Sequence, residues 1–327
     1  MPVHRLIIIG GKGGVGRTTV AAALGLALAR RGHRTLVAHV RARQPLAALY
    51  GCERIDEEIR AVTPDLWAVN MDPQTSIREM GLLVLRFRAL YHVVLENRLV
   101  RSFLRAVPAL EEYSMVGKAW YHTTEERPDG TPRFRTVIFD GPATGHLISM
   151  LRIPQVILDA VPEGPLTGDA RRARELLGDP ARTAMWLVTL AEEMAVSEAV
   201  DLYRAARSEL ELAVDRLVVN ALYPAELTTE PALAALLQRG APTGGSALAQ
   251  ALSATRLLRQ RRALHDHYLA ELAHRLPLRR TELPFLFLPQ LDRAALEPLV
   301  TLLGASLQGA AATAPRRVDA GVGEGPP

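Results

Sequence analysis

"IIIGGKGGVGRTTV", residues 7–20, joins a β-branched apolar run to an alanine-rich one through a cluster of glycines. Such a strand–turn–helix junction lets the backbone wrap round phosphates with its N–H groups pointing inward, and it aims the positive end of the helix at them. Gly11-Lys12-Gly13-Gly14-Val15-Gly16-Arg17-Thr18 fits the phosphate-loop pattern G-x-x-x-x-G-K-[ST], with Arg17 where the lysine is expected. In that pattern Thr18 offers its hydroxyl to Mg2+. Gly11, Gly13 and Gly16 also satisfy G-x-G-x-x-G, a dinucleotide fingerprint. The absence of any Asp or Glu before Glu53 weighs against NAD, whereas Arg41 and Arg43 leave an NADP-dependent oxidoreductase open.

The bulk composition narrows the classes. At 327 residues, with 48% hydrophobic and 23% charged residues, the chain reads as globular. Its formal charge of +4 comes without a long basic run, so no nucleic-acid partner is expected. The only lysines are Lys12 and Lys118, which makes a lysine inside the glycine loop informative. Cys52 is the single cysteine, so neither an intrachain disulfide framework nor a site of several thiolates can be built. The opening apolar run is broken by glycines, and no run reaches the roughly 18 residues of a membrane span, so a cytoplasmic protein without stable membrane insertion is expected.

Strand-like runs recur at residues 5–10, 34–40, 66–72, 135–142, 184–190, 215–222 and 284–289, with helical patterns between several of them. Buried strands alternating with helices predict an α/β fold, a mostly parallel sheet with helices on both faces. A long helical stretch at about 76–122 reads as an inserted subdomain. Within it Met80, Leu83, Val84, Phe87, Leu90 and Val94 form an apolar stripe that suits a partial client groove or simple packing. The expected organisation is one glycine-loop domain with this insertion over 1–308 and a disordered tail over 309–327.

"VIFDGPATGH", residues 137–146, places Asp140 at the end of a buried strand, where a carboxylate can orient the water shell of Mg2+. Gly141 and Gly145 allow a moving loop after it. "GKGGVGRTT" together with "DGPATGH" resembles the deviant-Walker phosphate-loop ATPases, in the branch of the arsenite-pump and tail-anchored-protein targeting ATPases. "LWAVNMDPQTSIREM", "AVPALEEYSMVGK", "LVTLAEEMAVSEA" and "RLVVNALYP" extend the likeness along most of the chain.

The resemblance implies an ATP-binding, Mg2+-dependent hydrolase working as a homodimer or with a paralogous partner, and coupling its nucleotide state to a client such as a hydrophobic protein segment. It assigns Lys12 as the signature lysine reaching across the dimer. Gly11, Gly13, Gly14, Val15, Gly16, Arg17, Thr18 and Thr19 would hold the phosphates, with Thr18 and Asp140 at Mg2+. Gly141, Pro142, Thr144, Gly145 and His146 would form the second switch, while Asn220 and Pro289 would meet adenine. Lys12, Arg17 and Asp140 would carry the chemistry.

Two positions depart from the family pattern. Arg17 keeps the charge of the loop lysine in a planar, bulkier form. The acid that relatives carry after the second strand is missing from "AHVRARQPLAAL", where His39 is the nearest candidate base. A hydrolysis-impaired, nucleotide-binding regulatory subunit is therefore the alternative within the same family.

Overall fold

A computed structural model describes residues 3–40, 45–72, 75–76, 110–161, 163–238 and 247–308. Eight strands form one sheet: β1 (Leu6–Gly10), β2 (Thr35–Val40), β3 (Arg60–Thr63), β4 (Leu66–Met71), β5 (Thr136–Asp140), β6 (Thr183–Leu190), β7 (Val214–Leu222) and β8 (Arg279–Pro284). Their spatial order is β3-β4-β2-β5-β1-β6-β7-β8, and every pairing is parallel except β3 with β4. This is the expected α/β architecture.

The apolar runs read as continuous because both faces of the central strands are covered. On one face, Ile7, Ile9, Val37, Ile138 and Trp186 pack against α1 (Arg17–Ala29), α2 (Pro45–Tyr50) and α10 (Glu297–Gln308). On the other, Leu6, Ile8, Leu36, Phe139 and Leu187 meet α3 (Leu110–Thr124), α4 (Thr144–Ala160), α6 (Glu193–Ser208) and α9 (Ala247–Arg275). Helix α5 (Pro165–Gly178) leans on α4, while α7 (Glu226–Thr229) and α8 (Pro231–Gln238) connect β7 to α9. Alternate residues of β1 therefore serve two separate cores, as the two-residue period of a strand requires.

Helix α1 comes unusually near the sheet. Gly25 faces β2 so closely that a side-chain carbon there would lie 2.7 Å from Val37 Cγ2. Small residues at Ala21–Ala23 and Gly25 permit that approach, and their contiguous burial fits a helix covered nearly all round.

Two elements differ from the sequence expectation. The last strand runs over Arg279–Pro284 rather than 284–289: Thr281 and Leu283 turn inward while Phe285 and Phe287 leave the sheet and stand exposed. The antiparallel edge strand β3 carries only a four-residue pairing and too weak an apolar alternation to be seen beforehand. Within the predicted helical insertion, α3 drives Met115, Val116 and Ala119 into the main core. The proposed groove stripe Met80–Val94 lies outside the described residues, as does the predicted tail. No helix among the described residues is long and apolar enough to cross a membrane.

Ile8 is fully buried in the central strand. Ile8→Ala should lower the unfolding free energy by about 2–5 kcal/mol, the cost of an unfilled core cavity. Urea denaturation of the variant against the parent measures it, and a loss well below that range would mean the site collapses around the gap.

Candidate phosphate-loop site

Strand β1 lies between β5 and β6, and the chain leaves it in opposite directions for β2 and, later, for β6. In parallel α/β sheets such a switch point opens a crevice at the carboxyl ends of the strands. The glycine loop occupies that crevice, running from the end of β1 into α1.

Gly11, Gly14 and Gly16 have φ of 149°, 87° and 90°, which L side chains rarely adopt. Gly11 is further constrained because a side-chain carbon there would sit 2.1 Å from the Val188 carbonyl oxygen of β6. A carbon on Gly16 would meet Asn220 Nδ2 at 2.2 Å. Above Gly13 and Gly14, by contrast, nothing lies within 4 Å. The loop is thus pinned along one side and open along the other.

Helix α1 begins at Arg17 with no side-chain cap and no acid in its first turn. Its first N–H groups and the positive end of its dipole are left for an anion. Thr18 and Thr19 stand in that first turn, both partly exposed.

Both cations of the loop are engaged within the chain. Lys12 Nζ lies 2.5 Å from Glu198 Oε1 on α6, with the two side chains 28% and 38% exposed. A pair this wet contributes on the order of 0.2–1 kcal/mol. Arg17 donates through one guanidinium nitrogen to the carbonyl oxygens of Gly141 and Pro142. Hydrogen bonds from a charged donor are worth roughly 1.5–3 kcal/mol each, so Arg17 is the more firmly held of the two. Burial pulls its pKa down and the nearby Asp140 charge opposes that shift.

Asp140 ends β5, in register with Ile9 on one side and His39 on the other. It is 1% exposed; Oδ2 is bonded to His39 Nδ1, and Oδ1 has no hydrogen-bond partner. A buried oxygen without a donor, set beside the loop and near Thr18's helix turn, suits a water of a hydrated Mg2+. Thr18 and Asp140 thus fit the metal that the loop pattern implies. Of the residues expected to form the switch, Gly141 and Pro142 follow Asp140 outside any helix or strand, whereas Thr144, Gly145 and His146 form the first turn of α4.

Asn220, at the end of β7, donates from Nδ2 to the Val15 carbonyl at 2.9 Å. It therefore braces the loop, and it lies on the same edge of the sheet. Pro289 is exposed beyond β8. Between these two positions stands an aromatic group that sequence reading missed: Tyr223 stacks on His265 at 5.1 Å and meets Phe285 and Phe287 at 5.3 and 5.7 Å. Phe-Leu-Phe at 285–287 was the available signal, and it was spent on a strand.

These features define an α/β protein of the phosphate-loop class. Within that class, residues 4–163 resemble the family model described as anion-transporting ATPase. The chain is 27% identical to "ATPase BagA" of Mycobacterium tuberculosis over 68% of its own length and 66% of that protein's. It is 28% identical to "Arsenical pump-driving ATPase" of Escherichia coli over 69% of its length and 41% of the pump protein's. Against "ATPase GET3" of Candida glabrata the figures are 24%, 69% and 75%. The aligned part thus spans just under two thirds of the mycobacterial relative.

One titration follows from the aromatic group. The Tyr223 N–H donates to His265 Nδ1, and burial, reinforced by Arg262 and Arg261 against Glu192 and Asp266, holds the imidazole below its ordinary value. The native state resists a proton that the unfolded chain accepts below about pH 6.5. This share of the stability is present above that pH and lost as pH falls through the folded pKa. Urea midpoints at about pH 7.5 and about pH 5.5 should differ less in His265→Gln than in the parent; an equal difference would refute the assignment.

Proposed function

We propose that this chain binds Mg·ATP in the glycine loop and hydrolyses it as a nucleotide-gated ATPase that works in pairs. The observation that carries the reading is the pinned loop with its open Gly13–Gly14 side, set between an uncapped helix end and the unpartnered Asp140 Oδ1. Backbone N–H groups from Gly13 to Thr19 hold the phosphates, and Thr18 and Asp140 hold hydrated Mg2+. The metal would neutralise charge on the phosphate oxygens, where phosphoryl transfer depends on positioning and electrostatics. Asn220 and Pro289 bound the base, with Phe285 and Phe287 offering ring faces beside it.

The two loop cations supply the gating. To turn toward phosphate, Arg17 has to release the Gly141 and Pro142 carbonyls, which frees the start of the 141–146 switch. Lys12 has to leave Glu198 before it can reach a partner's nucleotide. The weaker Lys12 pair yields first. Motion of α4 from the switch then passes to α3, which packs against it, and a client with a hydrophobic segment is the partner we favour. The names of the pump-driving and GET3 relatives support an ATPase.

A second reading has its own support. His39 stands at the end of β2 in place of an acid, and Asp140 holds its Nδ1. A subunit so built retains nucleotide but turns it over only with a partner that supplies the missing group.

Incubation with labelled Mg·ATP, followed by recovery of the bound nucleotide, separates these outcomes. Recovered ADP that falls about tenfold in Lys12→Ala, the loss of one charged contact, supports the working ATPase. Intact bound ATP supports the partner-dependent subunit. No bound nucleotide overturns both and leaves NADPH as the ligand to test. Gly16→Ala, which meets Asn220 and needs a left-handed φ, should weaken nucleotide binding by about tenfold or more, since such strain costs on the order of 1–3 kcal/mol. Unchanged affinity in that variant would show that the loop is not the site.

A further inference from the structure

A second cavity lies at the opposite, amino edge of the sheet, away from the glycine loop. Its volume is about 400 Å³, within the roughly 300–1,000 Å³ range of small-molecule sites. The chain ends of several elements converge there: His4 before β1, Arg31 and His33 after α1, Arg216 near the start of β7 and Leu307 in the last turn of α10, with Trp186 of β6 behind them.

The wall of this cavity carries Arg31 and Arg216 against one carboxylate, Asp215, and two of its buried donors have no acceptor. Arg216 is 4% exposed, yet among the described residues its one side-chain hydrogen bond is from Nη1 to Thr281 Oγ1 at 3.3 Å. Its Nε has no partner, and neither has Trp186 Nε1 beneath it, where the guanidinium carbon lies 5.0 Å from the indole ring. Burying a guanidinium away from water is costly unless an anion or acceptors face it. The neighbouring Asp215 attracts Arg216, while Arg279 repels it. Arg31, exposed at the rim, also reaches the Gly304 carbonyl at 3.3 Å. That contact offsets the negative end of α10, which would otherwise repel an anion.

We infer that this cavity is a binding site for a small anion whose carboxylate or phosphate oxygens accept from Arg216, Trp186 and Arg31. Arg216 Nε and Trp186 Nε1 are orphaned donors that a ligand's acceptors would satisfy, and the likewise orphaned His33 Nδ1 can accept from a hydroxyl of the same ligand. The planar fork of Arg216 suits two oxygens of one group. The stacked indole behind it leaves room for an apolar body against Ile7 and Leu307. The site is independent of the nucleotide reading, being built from other residues of β1, β6 and β7, toward the opposite edge of the sheet.

Trp186 provides the readout. The full chain is titrated with inorganic phosphate and, separately, with citrate, each against sodium chloride of equal ionic strength, while tryptophan emission and melting temperature are followed. The expected result is a saturable emission change with one or both anions, lost in Trp186→Phe and kept in Thr18→Ala. Arg31→Ala should weaken it about tenfold, the loss of one charge-assisted hydrogen bond. Arg216→Lys, which keeps the charge but not the fork, should weaken it further while leaving nucleotide recovery unchanged. Saturation by phosphate alone or by citrate alone identifies the acceptor chemistry. A response equal to that of chloride, one lost in Thr18→Ala, or parental affinity in both arginine variants overturns the inference.

Discussion

How closely the glycine loop lies against β6 and β7 governs the whole carboxyl edge of this protein. Val188 leaves no room for a side chain at Gly11, and Asn220 leaves none at Gly16. Backbone packed that tightly cannot tolerate a Cβ, and three glycine φ values in the positive range hold the resulting path. With one side of the loop committed to the sheet, Gly13 and Gly14 on the other side stand open to solvent. The open crevice is a product of packing on its far wall.

Charge is arranged around that crevice so that few groups are idle. Lys12 rests on Glu198, Arg17 on two carbonyls and His39 on Asp140. What remains unspent is one carboxylate oxygen and the first turn of α1, a negative and a positive end facing the same space. A hydrated cation carried by a polyanion satisfies both at once, which neither a bare anion nor a bare metal does. The amino edge shows the complementary imbalance, with Arg216 Nε and Trp186 Nε1 unspent although Asp215 lines the same cavity.

Much of the fold was legible because it depends on local pattern. The buried runs of β1, β2, β5, β6 and β7 are β-branched and bounded by polar or turn residues, so periodicity found them within one or two residues. Arg279–Pro284 was not legible: its burial alternates, two inward residues against four that are not fully covered, and the more apolar run beside it drew the assignment. Phe285 and Phe287 are apolar in order to meet Tyr223, and a single sequence carries no mark of that distinction.

The candidate site divides in the same way. The glycines, Thr18 and Asp140 could be named from spacing, because a phosphate loop and a strand-end acid are built from contiguous residues whose chemistry does not depend on distant partners. The engagement of Lys12 by Glu198, of Arg17 by the 141–142 carbonyls, and of Asp140 by His39 spans separations of 186, 124 and 101 residues. Only the parallel stacking of β2, β5, β1 and β6 brings those groups within reach. The sequence by itself determined an α/β chain with a phosphate-type loop after its first strand. The tertiary structure decided which charges are held in reserve and which stand free, since ion pairs and orphaned donors are set by strand order and register rather than by neighbours along the chain.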